Sequence, residues 1–430
     1  MFLFDILYLF FLLLGLPLWV RYLFKKSYRR LLRGRLSPGI EPGEKKRTWI
    51  HAVSVGEVKS LKSLIEQLDV RSDREIVLSV TTPAGFEFAQ KEYKSIKVIN
   101  SPFDFSFTVK KFLKQIDPEI LILNELEIWP NWSVLTRRAG VPICLINGRI
   151  SEPAFRRYKV FNFFLGRFFK NIDRFLVQAE IYEERFSQLG VPSVKIVVCG
   201  NIKADTAFDA AERLPTDIEI RRYLKIAGTK RVGAPQPRRQ ETSKPVFTLA
   251  STHRSDEDII IPILKRLCEN FAVILVPRHL DRVEEIEKAL SSRGVKYARW
   301  SSSRSIDIEA EVLIFDKMGY LFNVMKISDV VFMGGTFDRK IGGHNLYEPA
   351  VLGKLIVGGP WYNNFPDIGR ELENRGVYKK VTGADELMDF LSAVDSVDFE
   401  KVKVRAEEAV FQRRGSVDCI LREVQAVLES

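Results

Sequence analysis

From Thr48 the chain alternates short aliphatic runs with longer stretches in which apolar positions recur every three or four residues. The first series reads WIHAVSV (49–55), IVLSVTT (76–82), ILILNE (120–125) and VPICLING (141–148). After the first run, Val58, Leu61, Leu64, Ile65 and Leu68 fall at helical spacing, so a helix is predicted to begin near Gly56. A second series starts with VFTLAST at Val246 and continues through FAVILVPRH, VLIFDK, DVVFMGG and KLIVGG. This alternation predicts βα units around parallel sheets, hence two doubly wound α/β lobes. Between the series lies AGTKRVGAPQPRRQETSKP (227–245), rich in Gly, Pro and cations and poor in large apolar residues, which marks a linker. The expected division is a first lobe over 23–226, the linker 227–245, a second lobe over 246–400, and helices over 401–430 that pack back on either lobe. A length of 430 residues exceeds what one hydrophobic core usually supports, in line with two domains.

Residues 2–20, FLFDILYLFFLLLGLPLWV, form an apolar run whose only charge is Asp5, just long enough for a transmembrane helix. No basic residue precedes the run and a basic cluster follows it, so residues 1–22 read as a single-pass membrane anchor rather than a cleaved signal peptide. The positive-inside rule then places the lobes on the cytoplasmic side. The following RYLFKKSYRRLLRGR interleaves cations with aromatic and leucine residues, a composition suited to an anionic lipid surface. Seven of the net +11 charges lie in this segment; subtracting them leaves +4, which gives no indication of a nucleic-acid partner. Cys144, Cys199, Cys268 and Cys419 are widely spaced without a CxxC pair, which argues against a zinc site or a disulfide framework and fits a reducing compartment.

In open parallel sheets ligands sit beyond the carboxyl ends of strands, so the strand-exit loops hold the candidate chemistry. Glu57 falls in the first turn of the helix near Gly56, where the helix dipole alone favours a carboxylate. As a functional group, it accepts a proton from an attacking hydroxyl, with Gly56 allowing close approach of a ligand. Glu125 and Glu127 follow the third strand; in extended chain they point the same way and can orient a substrate or a basic partner. The alternative leaves them as solvated acids beside Trp129 and Trp132. Arg149, Arg156 and Arg157 fall near the same mouth and are candidates to grip acceptor phosphates bidentately, with plain surface charge as the other explanation.

The second series is denser in such signals. Of the four histidines, His51 lies on the first strand, whereas His253, His279 and His344 fall in or just after strand exits of the second lobe. Ser251, Thr252 and His253 follow one strand, and Arg278 with His279 follow the next. In MGGTFDRKIGGHNLYEPAVLGKLIVGGP a strand ends at Gly334 and Gly335, and a short helix is expected to start at Gly343 to Asn345. Free N–H groups of Gly342, Gly343, His344 and Asn345 would then receive a phosphate, with Glu348 one turn further on to reach a ribose diol. Together these residues point to a nucleotide-sugar donor site.

These pieces resemble the 3-deoxy-D-manno-octulosonic acid (Kdo) transferases of lipopolysaccharide synthesis. The matching segments are WIHAVSVGEV, TTPAG, NELEIWPN, GNIKAD, ASTHRSDED, PRH, DKMGYL, GGT and GGHNLYEPA, in the family's order over about three hundred residues. The resemblance implies a GT-B fold of two Rossmann-like lobes and transfer of Kdo from CMP-Kdo to the tetraacyldisaccharide bisphosphate precursor of lipid A by one inverting displacement. It implies Glu57 as general base; Gly342, Gly343, His344 and Asn345 at the CMP phosphate; Glu348 at the ribose; and Arg278 and His279 in the donor cleft. It implies no metal and no cofactor, and a place at the cytoplasmic face of the bacterial inner membrane. Lys340 and Ile341 stand where relatives often carry arginine, which leaves open the cation that meets the Kdo carboxylate. The remaining readings are another GT-B nucleotide-sugar transferase, a GT-B-like epimerase, and a non-catalytic membrane tether that binds anionic lipid through Arg21 to Arg35.

Overall fold

The structure is a computed structural model that describes residues 2–14, 26–41, 43, 45–71, 74–213, 244–302 and 310–430. It divides into two compact units, Met1–Thr206 with Arg414–Ser430, and Ala207–Arg413. Residues 227–243 of the expected linker lie outside the described residues.

The first unit is built on seven strands: β1 (Arg47–Ala52), β2 (Glu75–Val80), β3 (Lys97–Asn100), β4 (Pro118–Asn124), β5 (Ile143–Gly148), β6 (Arg174–Val177) and β7 (Ile196–Val198). They form one sheet in the order β3-β2-β1-β4-β5-β6-β7, parallel at every pairing. Every residue of β1 and β5 is buried, because helices cover both faces of a parallel sheet and leave no side of the strand for polar residues. Alternate residues feed separate cores: Trp49, Val77, Leu121 and Leu123 join one, and Ile50, Leu78, Ile120 and Ile122 the other. The second core also takes Val417, Ile420, Leu421, Val424 and Val427 from the last helix, Ser416–Leu428, which therefore belongs to the first unit.

The second unit repeats the plan with β8 (Val246–Thr252), β9 (Ala272–Pro277), β10 (Tyr297–Arg299), β11 (Val312–Ile314), β12 (Val330–Met333), β13 (Leu355–Gly358) and β14 (Tyr378–Lys380). Its sheet runs β10-β11-β9-β8-β12-β13-β14, again all parallel. The doubly wound expectation holds for both units.

Two expectations need correction. The apolar run from Phe2 gives a helix Phe2–Leu14 of 13 residues, about 20 Å against a hydrocarbon thickness of roughly 30 Å. Among the described residues no helix is long and apolar enough to cross a membrane, and residues 15–25 lie outside them. Instead the helix packs on the first unit, with Asp5 bonded to Ser106 and Asn131 and the Phe4 ring against Phe168. The cysteines correct the second expectation. Cys199 and Cys419, 220 positions apart, form a disulfide with their Cα atoms 5.5 Å apart. Spacing along the chain hid this pair because the return of the last helix brings them together. Cys144 and Cys268 are buried free thiols.

Candidate active site

In each sheet the earliest strand lies between neighbours that lead the chain in opposite directions: β1 between β2 and β4, and β8 between β9 and β12. At such a switch point the exit loops diverge and leave a crevice. In the first unit the loops concerned carry Glu57 after β1, and Glu125 and Glu127 after β4.

Ser54 caps the helix Val55–Ser60, its Oγ accepting the Glu57 amide at 3.4 Å. The Glu57 carboxylate turns back to accept from the Val53 amide at 2.9 Å and the Ser54 hydroxyl at 3.1 Å, an arrangement close to a capping box. The amide of Asn124, the last residue of β4, adds a third donor at 3.5 Å. Glu57 is thus both a structural cap and a carboxylate fixed in direction at the crevice.

Glu125 and Glu127 are not the extended pair expected from the sequence. Glu125 has a left-handed backbone, φ 59°, and the Glu127 amide donates back to its carbonyl at 3.2 Å. Glu125 acts electrostatically on Glu57, and Glu57 in turn on Glu127. Glu125 accepts from Arg149 Nε at 3.1 Å and lies 3.8 Å from Lys203 Nζ. Glu127 accepts from the Trp129 indole at 3.1 Å. Burial, and then the Glu125 charge, raise the Glu57 pKa, opposed by its three donors. Burial and the Glu57 charge push Glu127 up to about 7. Arg156 and Arg157 stand exposed on the helix Glu152–Val160, with Arg156 paired to Glu152 at 3.0 Å. His51 is buried in β1 and bonded through Nδ1 to Ser79 at 3.0 Å, a structural placement.

In the second unit the loops after β8 and β12 interlock. A Cβ on Gly334 would lie 2.2 Å from the Ser251 carbonyl oxygen, so only glycine admits this approach. Asp256 is fully buried and accepts from the His253 amide at 2.9 Å and the Gly335 amide at 2.7 Å, joining the two loops. Above it, Nε2 of His253 and Nε2 of His344 are 2.8 Å apart, so one ring donates and the other accepts. Burial, followed by neighbouring cationic groups, lowers His253 to about 4 and His344 to about 3, which keeps the pair neutral at ordinary pH. His279 packs edge-on to His253 at 5.3 Å, and Arg278 is exposed beside it.

The glycine run departs from expectation. The helix begins at Tyr347, not Gly343, and has five residues. Gly342 and Gly343 have φ of 69° and 78°, left-handed and outside the helical region, and their N–H groups are spent on the Asp338 and Gly335 carbonyls at 2.9 Å. The expected cradle of free amides at those two positions is therefore absent. Asn345 closes the turn, accepting from the Tyr347 amide and donating to Glu348 at 3.1 Å.

A family model described as 3-deoxy-D-manno-octulosonic-acid transferase (kdotransferase) matches residues 28–206. A 3-deoxy-D-manno-octulosonic acid transferase of Chlamydophila psittaci is 31% identical over 388 residues, covering 87% of this chain and 84% of that one. This chain belongs to the Kdo transferase family. It is also 33% identical to a bifunctional glycosyltransferase/methyltransferase of Fusobacterium nucleatum, covering 88% of this chain but only 57% of that protein's length. Among solved structures, a UDP-GlcNAc 2-epimerase from Neisseria meningitidis bound to UDP-GlcNAc overlays with a TM-score of 0.60 at 14% identity, covering 88% of this chain and all of that one (100%). That likeness extends to the fold, which is of GT-B type.

Several residues of these crevices were not singled out in the sequence reading. Asp256 was legible as the fourth residue of His253-Arg254-Ser255-Asp256, a cap spacing. Ser54, three residues before Glu57, was legible the same way. Asn124 and Lys203 lie inside the matched segments NELEIWPN and GNIKAD, but no local spacing marks them as partners of the acids; only the sheet order and the start of the helix Ile202–Glu212 bring them there.

Proposed function

We propose that this chain transfers Kdo from CMP-Kdo to the lipid A precursor, tetraacyldisaccharide 1,4'-bisphosphate, with inversion, as a step of lipopolysaccharide core synthesis. The observation that carries this reading is the Glu57 carboxylate, held by three donors at the switch point of a chain of this family. In the proposed step Glu57 takes the proton of the acceptor's primary hydroxyl as that oxygen attacks the anomeric carbon of Kdo. The bond from that carbon to the phosphate oxygen breaks, and its electrons leave with CMP. Burial makes Glu57 a stronger base than a free carboxylate, as proton abstraction requires.

The second unit is assigned the donor. Ser251, Gly334 and Gly335 shape the loops, the neutral His253–His344 pair and Arg278 with His279 face the sugar nucleotide, and Asn345 positions Glu348 for the ribose. Arg149, steered by Glu125, is assigned an acceptor phosphate. A lipid acceptor places the protein at the cytoplasmic face of the inner membrane. The test is mass spectrometry of the product formed from CMP-Kdo and purified acceptor. Wild type is expected to add the mass of Kdo and Glu57→Ala to leave the acceptor unchanged; undiminished transfer by Glu57→Ala would remove the base assignment.

A further inference from the structure

One short stretch, residues 199–206, ties the return of the chain to the carboxylate crevice. It follows β7, which has three residues, pairs with β6 and lies at the edge of its sheet. At the start of the stretch Cys199 forms the disulfide with Cys419 of the last helix, Ser416–Leu428. That helix has Gly415 at its N-cap, and Asp205 supplies the capping carboxylate. Asp205 accepts from the Gly415 amide at 2.8 Å and from the Val417 amide at 3.0 Å.

The same stretch reaches the crevice through two other side chains. Lys203 Nζ lies 3.8 Å from Glu125, the acid whose charge acts on Glu57. The Lys203 amide donates to Asn201 Oδ1 at 3.0 Å, and Asn201 donates to Gln178 at 3.1 Å. The Thr206 hydroxyl donates at 3.0 Å to the carbonyl of Ser60, the last residue of the helix that carries Glu57. Lys203 and Thr206 follow Cys199 by four and seven positions. An edge strand is where a sheet holds its chain least, so a covalent tie there decides how firmly these contacts are kept.

We propose that the Cys199–Cys419 pair is a redox-governed clasp on the carboxylate crevice. Closed, it fixes residues 199–206 so that Lys203 stays on Glu125 and Thr206 on the Glu57 helix. Opened to two thiols, it lets the stretch move away from both. Opening takes two electrons and two protons, which a dithiol supplies. One thiolate of the dithiol attacks Sγ of Cys419, which is partly exposed, and the buried Cys199 leaves as thiolate. The second sulfur of the dithiol then displaces Cys419 from the mixed disulfide; the dithiol becomes a cyclic disulfide and both cysteines take up protons. The reverse exchange closes the clasp, so its state follows the redox poise around the protein. Val417, Ile420, Leu421, Val424 and Val427 keep the last helix packed in either state, which confines the change to the strand exit.

The kinetic part of the test rests on the transfer reading; the thiol and exchange parts do not. Thiol titration of the denatured full chain is expected to find two thiols, Cys144 and Cys268, after oxidised dithiothreitol, and four after reduced dithiothreitol. Four in both states would overturn the bond. On reduction, hydrogen–deuterium exchange is expected to quicken about tenfold in residues 200–206 and to stay unchanged in the buried strands β8 and β9. Equal exchange of residues 200–206 in the two states would overturn the clasp, whatever sugar is transferred. Glu57 shares its crevice with Glu125 and Glu127, and Glu125 also meets Arg149. Withdrawal of Lys203 leaves more negative charge beside Glu57, so reduction is expected to move the acid limb of kcat/KM to higher pH and to lower the rate on that limb about threefold. Cys419→Ser is expected to hold the reduced position and to ignore dithiothreitol. Lys203→Gln is expected to hold it too, with the disulfide intact and only two thiols. A limb that reduction leaves in place would make the bond a plain staple and overturn the proposal. Faster exchange on reduction, with no transfer in either state, would uphold the clasp and count against the transfer reading alone.

Discussion

The two switch points share one topology and carry opposite chemistry. After β1 and β4, three carboxylates crowd together, and burial with mutual repulsion holds the Glu57 and Glu127 pKa values above the ordinary range. After β8 and β12 a histidine pair that is neutral at ordinary pH sits above an aspartate whose bonds are spent on backbone amides. The comparison teaches that sheet order decides where a crevice lies, while loop side chains decide whether it moves protons or holds a ligand. A base gains from a raised pKa, whereas a binding cradle gains from groups whose charge does not change with pH.

The largest test of that contrast is to remove one function from each side. Glu57→Gln keeps the Val53 and Ser54 contacts nearly isosteric but cannot take a proton, so kcat is expected to fall about 10²–10⁴-fold with CMP affinity intact. A matching loss of CMP affinity would break the division of labour. Next comes Glu127→Gln, read by thermal melts at pH 5 and pH 8. The folded-state pKa of Glu127 is raised from 4.5 to about 7, so the folded protein binds that proton more tightly than the unfolded chain. The resulting stability is present below pH 4.5 and is lost as pH rises through 7, reaching about 3 kcal/mol. The variant is expected to melt higher than wild type at pH 8, with the gap closing toward pH 5; a wild type that is the more stable at pH 8 would refute the buried-charge account. On the other side, Glu348→Ala is expected to weaken CMP binding about tenfold, the scale of one lost charged hydrogen bond, while product formation at saturating donor stays near wild type. Equal CMP affinity in titration calorimetry would sink the donor assignment.

Much of this was legible because fully buried strands leave long aliphatic runs. The strands that escaped notice, β3, β6, β7, β10 and β14, have only three or four residues, and all but β6 are edges of their sheets. Glu57 was legible because its helix follows directly from β1. Its partners Asn124 and Glu127 come from the end of β4 and the loop after it, placed beside it only by sheet order. The run at Gly342 misled for a physical reason: two glycines before a polar pair fit a helix start and a left-handed turn equally well, and the φ angles chose the turn. Asp5 reads in sequence as a blemish in a membrane span, because its partner Ser106 is 101 residues away.

The finest test asks whether crowding, rather than burial alone, tunes the base. Glu125 is the charge that raises the Glu57 pKa after burial, and it is itself held by Arg149 at 3.1 Å. Glu125→Gln removes that negative charge and leaves the guanidinium in place, and both changes favour ionised Glu57. The acid limb of kcat/KM against pH is therefore expected to move to lower pH, with the plateau reduced only as far as Arg149 loses its orientation. A limb that stays where it is would show that the titrating base is not electrostatically coupled to Glu125. A limb that moves upward would mean that the group seen in the profile is not Glu57, and the carboxylate crevice would then lose its claim to the proton.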